Sequence, residues 1–236
     1  MRSDRVVLFA LTALLCLTGA APALGQDVGP LIERVLEAYG GRERLEQVHS
    51  YRFEASMHAL VRDQQAAVER SARWPGLLEV VIHYPDQVEI RRLSEGRGWR
   101  GPNRQALEEV QGPMLNSMRT QAIRASLPWV LAQLEDRVEL IDTTEESYLL
   151  GLRLGGDAAV RFWIETATDR VVRTEAIVDA GQAVMIFATD FSDFRDVDGV
   201  LFPFHEETWA QGTHTASVDV TLVEWNPPEG PEPSTE

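Results

Sequence analysis

Residues 50–60 read SYRFEASMHAL, and from Tyr51 to Ala59 every second residue is apolar. A period of two is typical of a β-strand with one buried and one solvated face. Two further runs, residues 78–84 and 88–91, repeat the alternation. The breaks between the runs are turn-forming pairs, Pro75-Gly76 and Pro85-Asp86. This part of the chain therefore predicts consecutive antiparallel strands joined by hairpins.

The residues before this stretch follow a helical period instead. An apolar stripe at i, i+3, i+4, i+7 spacing runs from Val28 to Tyr39 and predicts a helix of about three turns. The pair Gly40-Gly41 supplies a left-handed stop, and residues 43–48 predict a short second helix.

Residues 102–135 interrupt the strand pattern and are here called the lid insertion. Leu107, Val110, Met114, Leu115 and Met118 fall at helical spacing, with Gly112-Pro113 between them. Because proline interrupts a helix, the insertion is expected to form two or three short helices.

Strand composition resumes after the lid insertion and continues to Glu224, with hairpin signals at Thr166-Ala167-Thr168-Asp169, Asp198-Gly199 and Gln211-Gly212. The element order is a helix, about five strands, a helical insertion and about six strands. It predicts an α+β, mainly β fold: a curled antiparallel sheet of about eleven strands forming an incomplete barrel. The concave face of such a sheet is apolar and must be covered. The N-terminal helix and the lid insertion are the segments that could close it.

The net charge and the two ends of the sequence indicate which partners this domain does not bind and in which compartment it acts. All 22 basic residues are arginine, and 37 acidic residues give a net charge of −15, which argues against nucleic acid or an anionic membrane surface as a partner. Residues 1–25 resemble a cleavable secretory signal, with cleavage near Gly25/Gln26 and the single cysteine, Cys16, inside its apolar run. Residues 26–225 are predicted to be one periplasmic, monomeric domain that does not span the membrane, and residues 226–236 a disordered tail.

Signatures of catalysis are missing from the sequence. There is no G-x-S-x-G, H-E-x-x-H or phosphate-binding glycine loop, and Asp196 to Gly199 lacks the spacing of a calcium loop. If Gln211-Gly212 closes a two-residue hairpin, Trp209 pairs with His214, and Glu207 comes within hydrogen-bonding distance of His214. On that register, one face carries His205, Glu207, Trp209, His214, Ala216, Val218, Val220 and Leu222. A polar pair at the rim is favoured over a hydrolase site or a metal site, so no enzyme, metal or cofactor is predicted.

Three motifs resemble a known family. Ala38-Tyr39-Gly40-Gly41 leading to Leu45 and Ser50-Tyr51 is similar to the opening of the LolA/LolB-like periplasmic superfamily that sorts outer-membrane lipoproteins. The hairpin at residues 164–171 and the segment at residues 193–203, DFRDVDGVLFP, are similar to its middle and late segments. The resemblance implies an incomplete barrel closed by helices around an apolar cavity for lipid or acyl chains. The superfamily includes carriers, receptors and stress-sensor domains.

The predicted function is that of a periplasmic binding or carrier protein that holds a lipid or lipoprotein acyl chain under helical lids. The alternative is a non-enzymatic sensor domain that binds a periplasmic or envelope protein. The residues predicted to form the cavity and lid are apolar and lie on the strands or the lid insertion: Phe53, Met57, Val80, Ile82, Tyr84, Ile90, Trp99, Leu107, Val110, Met114, Leu115, Met118, Trp129, Leu131, Phe162 and Trp209.

Overall fold

A computed structural model describes residues 27–74, 76–155 and 158–228. The predicted signal segment, residues 1–25, lies outside the described residues, as does most of the predicted tail. The described residues form thirteen strands: β1 (Ser50–Ala59), β2 (Gln64–Arg73), β3 (Leu77–His83), β4 (Val88–Ser94), β5 (Arg97–Gly101), β6 (Glu108–Val110), β7 (Val138–Thr143), β8 (Ser147–Gly155), β9 (Ala158–Glu165), β10 (Val171–Asp179), β11 (Val184–Val197), β12 (Val200–Ala210) and β13 (Thr213–Trp225).

All of these strands belong to one antiparallel sheet in the order β6-β5-β4-β3-β2-β1-β13-β12-β11-β10-β9-β8-β7. The chain travels outward from β1 to β6, crosses over through the helices, and returns from β7 to β13. The first and last strands then pair, with Tyr51 opposite Trp225. Because β6 and β7 do not pair with each other, the sheet is open, and the predicted mainly β, incomplete barrel is confirmed.

The strand number and the lid insertion differ from the prediction in detail. The sheet has thirteen strands instead of about eleven. One of them, β6, lies within the predicted insertion and includes Val110, which pairs with Gly98 on β5. The pair Gly112-Pro113 begins a helix instead of breaking one, because a proline in the first turn has no backbone hydrogen bond to lose.

Four α-helices accompany the sheet in the described residues: α1 (Gly29–Ala38), α2 (Arg42–Glu46), α3 (Gly112–Ala125) and α4 (Trp129–Gln133). As predicted, α1 buries an apolar stripe, made of Leu31, Ile32, Val35 and Leu36, and positive-φ glycines follow it. Helix α3 lies across the sheet and contacts β9 and β10 on one side and β3, β4 and β5 on the other. It packs closely on Gly98, where a Cβ would lie 3.0 Å from both Leu115 and Val110.

Two of the motifs that carry the family resemblance meet in space. Gly40 has a φ of +115°, and a Cβ at this position would lie 2.1 Å from the carbonyl oxygen of Gly199. The Leu201 amide donates to the Tyr39 carbonyl at 3.1 Å, and Arg44 Nε donates to the Asp198 carbonyl at 2.9 Å. The segment that joins α1 (Gly29–Ala38) to α2 (Arg42–Glu46) and the late β11–β12 hairpin are thus held together, and the close approach requires glycine at position 40.

The buried side chains divide into two clusters. One lies under α1, α2 and α4 against β8, β9 and β10, and contains Leu131 and Phe162. The other lies between α3 and strands β1 to β4 and β13, and contains Phe53 and Met118. Aromatic rings join the two clusters: Tyr51 lies 5.7 Å from Trp74 and from Phe202, and Trp129 lies 4.7 Å from Trp74, between ring centroids. This aromatic group fills the space between the clusters with rigid side chains.

Candidate functional site

A partly open cavity of about 340 Å³ lies between the concave face of the sheet and the C-terminal half of α3. Residues from β1, β2, β3, β4, β11, β12 and β13 form its wall, together with Gln121, Arg124 and Ala125 of α3. Its wall reaches the strand ends at Ala59 and Ala210. The volume lies at the lower end of the range of ligand pockets, roughly 300 to 1,000 Å³. The cavity therefore has the size of a site for one small ligand.

Most side chains in the wall are apolar, and five of them are residues that the sequence analysis assigned to a cavity: Met57, Val80, Ile82, Tyr84 and Trp209. Four more predicted residues pack in the same hydrophobic cluster without lining the cavity: Phe53, Val110, Leu115 and Met118. The structure thus brings part of the predicted cavity and lid residues together around one cavity.

The structure places the other predicted residues elsewhere. Trp129, Leu131 and Phe162 are buried in the cluster under α1, where side chains fill the interior. Arg91 lines the cavity, so the alternation of β4 turns its neighbour Ile90 to the opposite face. The same alternation turns Trp99 away from α3, since Gly98 faces it.

The start of the lid insertion also differs from the prediction. Leu107 has extended backbone before β6 and is not helical, and Met114 is on α3 but 43% exposed. The helical spacing that linked these two residues arises by coincidence across a strand and a turn.

A buried ion pair lies in the cavity wall. Arg70 on β2 donates from Nη1 and Nη2 to the two carboxylate oxygens of Glu206 on β12, at 3.0 and 3.1 Å. The guanidinium also lies over the ring of Phe53, 4.3 Å from its centroid. Burial alone would lower the pKa of Arg70, but the charge of Glu206 outweighs it and raises the pKa above the ordinary value. The pair therefore stays ionised inside an apolar wall.

Two polar contacts fasten α3 to the sheet beside the cavity. The hydroxyl of Tyr51 donates to the carbonyl of Ala125 at 3.0 Å, and burial raises the pKa of Tyr51 to about 12. Arg124 Nη1 donates to Thr189 Oγ1 on β11 at 3.2 Å. Both contacts hold the last turn of α3 over the cavity, and both would break if that turn lifted.

Sequence reasoning missed the charged residues of this site. A signal existed for Arg70, which occupies an inward position of β2 between the buried residues Val68 and Ala72. A charge at an inward position of a strand needs a partner, but the sequence alone does not name it. Arg124 had no such signal, because arginine is common on helix surfaces.

The polar pair predicted at the cavity rim, Glu207 with His214, forms on the last hairpin and is joined there by His205 in one cluster. The predicted pairing of Trp209 with His214 is confirmed, and so is the hydrogen bond between His214 and Glu207. His205 adds contacts to Asp219 at 2.7 Å and to Glu207 at 2.8 Å. The expected common face is wrong. A bulge between Thr208 and Trp209 shifts the register, so Ala216 and Val218 line the cavity and Val220 is buried in the adjoining cluster.

The stability of this cluster is expected to depend on pH. Hydrogen bonds to Asp219 and Glu207 outweigh burial and raise the pKa of His205 above its ordinary value of 6.5. A raised folded-state pKa stabilises the fold below the unfolded value and stops doing so as pH rises through the folded value. The free energy of unfolding should therefore fall as pH rises above about 6.5, measured by urea denaturation.

The control for this pH dependence is the exposed histidine His49. His205→Gln should flatten this decline, and His49→Gln should leave it unchanged. An equal decline in His205→Gln and the unchanged protein would contradict the assignment to His205.

In the described part of the chain, no group of three or more His, Cys, Asp or Glu side chains is arranged to hold a metal ion. The helices of the same residues are all too short or too polar to cross a bilayer. The candidate site in the described residues is therefore an apolar cavity with a few buried charged side chains in its wall.

The described residues thus form an open half-barrel, in which a curled antiparallel sheet is covered by helices above a partly open cavity. No family model and no curated protein matches this sequence. Solved structures do match it. A DUF1329 family protein from Desulfovibrio piger is similar with a TM-score of 0.56 and 12% identity, covering 86% of this chain and 95% of its own.

Two further solved structures carry the family name that the motifs suggested. A LolA superfamily protein from Nitrosomonas europaea is similar with a TM-score of 0.53 and 10% identity, over 83% of this chain and 91% of its own. A domain from Vibrio parahaemolyticus, described as a putative outer membrane lipoprotein-sorting protein, is similar with a TM-score of 0.50 and 10% identity. The match covers 85% of this chain and 95% of that domain. The resemblance drawn from the sequence is thus confirmed at the level of the fold.

Proposed function

We propose that this chain is a periplasmic, non-enzymatic binding or carrier protein that holds the acyl chain of a lipid or lipoprotein in the cavity beneath α3. The observation that carries the proposal is the cavity itself, an apolar space of about 340 Å³ covered by one helix. Residues 26–225 would act as a single monomeric domain after removal of the signal segment. The name of the Vibrio parahaemolyticus neighbour supports this class of function.

Apolar burial supplies the affinity in this proposal. Each methylene group moved from water to an apolar wall contributes about 0.8 kcal/mol. Met57 and the aliphatic residues Val68, Val80, Ile82 and Val218 offer such a wall. A space of this size suits one chain and leaves little room for a second.

Loading and release would require α3 to move. The contacts that hold its last turn over the cavity are the Tyr51 to Ala125 and Arg124 to Thr189 hydrogen bonds. Each net hydrogen bond contributes about 1 kcal/mol, so lifting this turn lies within the range of lid motions. Helix α1 is packed into a filled core instead and would stay in place.

The proposal is tested by ligand binding to the purified mature chain. We expect a co-purified lipid in native mass spectrometry, or uptake of a fluorescent fatty acid by delipidated protein. Absence of both, together with capture of a stable periplasmic protein by the chain, would favour the sensor alternative instead.

Filling the cavity should abolish this binding. Ala216 lines the cavity on β13, and Ala216→Phe places an aromatic ring in the space that the ligand needs. We expect uptake of the fluorescent fatty acid to fall by at least about tenfold, the loss of about 1.4 kcal/mol or more. Affinity is measured by fluorescence titration.

The matched control is Ala67→Phe, the same change at an exposed position of β2. It should leave affinity unchanged, and circular dichroism establishes that both variants are folded. Unimpaired uptake by folded Ala216→Phe would place the ligand elsewhere on the protein.

A further inference from the structure

The cavity wall carries an excess of positive charge, although the chain as a whole has a net charge of −15. Three arginines line the cavity, Arg70, Arg91 and Arg124, and among the described residues Glu206 is the one carboxylate that does so. Arg70 is paired with Glu206, and Arg91 is paired at 2.7 Å with Glu89, a carboxylate that Arg100 also contacts at 3.2 Å. Among the described residues, Arg124 is therefore the cavity-lining arginine with no carboxylate partner.

Arg124 is held in this place without a counter-ion. Within the described residues its side chain forms one hydrogen bond, to the neutral Thr189 hydroxyl, and no ion pair. Burial, together with the nearby charge of Arg70, lowers the pKa of Arg124 to about 10, so the side chain is still a cation at neutral pH. A partly buried cation among other cations is unfavourable unless an anion joins it.

Two unpaired hydrogen-bond donors indicate the kind of chemical group that would bind beside Arg124. The Nε atoms of Arg70 and Arg124 are buried, and neither has an acceptor among the described protein atoms. Buried donors in native proteins are nearly always paired. Anionic oxygens are the acceptors that guanidinium groups bind best, because charge and hydrogen bonding add. The remaining wall of the cavity is mostly apolar.

We infer that the ligand of this cavity is an anionic amphiphile, whose acyl chain lies against the apolar wall and whose carboxylate or phosphate oxygens pair with Arg124. The inference rests on the proposed function, because it names the head group of the ligand proposed for the same cavity. The carboxylate of a fatty acid and the phosphate of a lipid share this chemistry.

The first test compares ligands of one chain length on the unchanged, delipidated protein. Dodecanoate, dodecyl phosphate and dodecanol compete with the neutral fluorophore phenylnaphthylamine. The two anions should displace it at concentrations about tenfold or more below that of dodecanol, because a hydrogen bond between two charged groups is stronger than one to a neutral hydroxyl. The stronger of the two anions identifies the source, a fatty acid or a phosphate-bearing lipid.

The second test removes the positive charge of Arg124. Arg124→Gln should cancel the advantage of the anions over dodecanol, measured within the variant as the ratio of the concentrations at which the ligands displace the fluorophore. Arg119→Gln is the control on the same helix, since Arg119 is exposed and donates to the Gly96 carbonyl away from the cavity. This control should behave as the unchanged protein does.

The outcomes separate this inference from the proposed function. Displacement by dodecanol at the same concentrations as both anions overturns the inference but leaves an acyl-binding cavity, whereas displacement by none of the three overturns both. Anions that keep their advantage in Arg124→Gln overturn the role of Arg124. The comparison on the unchanged protein needs no variant, so the head-group inference is tested even if Arg124→Gln fails to fold.

Discussion

Replacing Glu206 by leucine is expected to lower the free energy of unfolding by about 3 to 5 kcal/mol, because Arg70 then keeps its charge in an apolar wall without a partner. The carboxylate of Glu206 is 4% exposed and accepts two hydrogen bonds from the guanidinium of Arg70. Arg124 lines the same cavity and adds a second positive charge. Urea denaturation followed by circular dichroism measures the loss.

Two further variants show whether the loss comes from burial of the charge. Glu109→Leu breaks a similar two-bond contact with Arg97, at 2.9 and 2.7 Å, but these side chains are 39% and 62% exposed. An exposed pair of this kind contributes about 0 to 1 kcal/mol. The double variant Arg70→Met with Glu206→Leu should recover most of the stability. A loss in Glu206→Leu no larger than in Glu109→Leu would mean that water reaches Arg70 freely.

The architecture could be predicted because local signals agree with it. The alternation from Tyr51 to Ala59 matches the burial of β1 position by position, and the stripe on α1 is buried as expected. The pairing of β1 with β13 has no such local signal, since it joins opposite ends of the chain. The bulge at Thr208/Trp209 escaped prediction for a related reason. One extra residue reverses the faces of a strand without altering its composition.

The candidate site was harder to predict because it depends on contacts between distant segments. Arg70 and Glu206 are 136 positions apart, and neither belongs to a motif. Apolar residues alone do not reveal whether a concave face is filled by side chains or left open. Met57 and Ile82 line a cavity, whereas Phe162 and Trp129, equally apolar, pack beneath α1. The position of the helices over the sheet decides between these outcomes.

Phe162→Ala is expected to destabilise the protein by about 3 to 5 kcal/mol, since it removes a fully buried aromatic ring from a filled core. For a domain of this length, that corresponds to a fall in melting temperature of roughly 10 °C. Affinity for the fluorescent fatty acid should be unchanged in the folded protein, because Phe162 packs in the cluster under α1 and does not line the cavity. Thermal denaturation and fluorescence titration at low temperature measure the two quantities separately.

The two readouts together distinguish a core residue from a ligand-contacting one. Leu222→Ala, at a position 40% exposed, is the control and should change stability by less than about 0.5 kcal/mol. If Phe162→Ala weakened binding as strongly as Ala216→Phe while stability changed little, the ligand would extend into the space beneath α1. The cluster under α1 would then be part of the binding site, and α1 would have to move together with α3 to admit the chain.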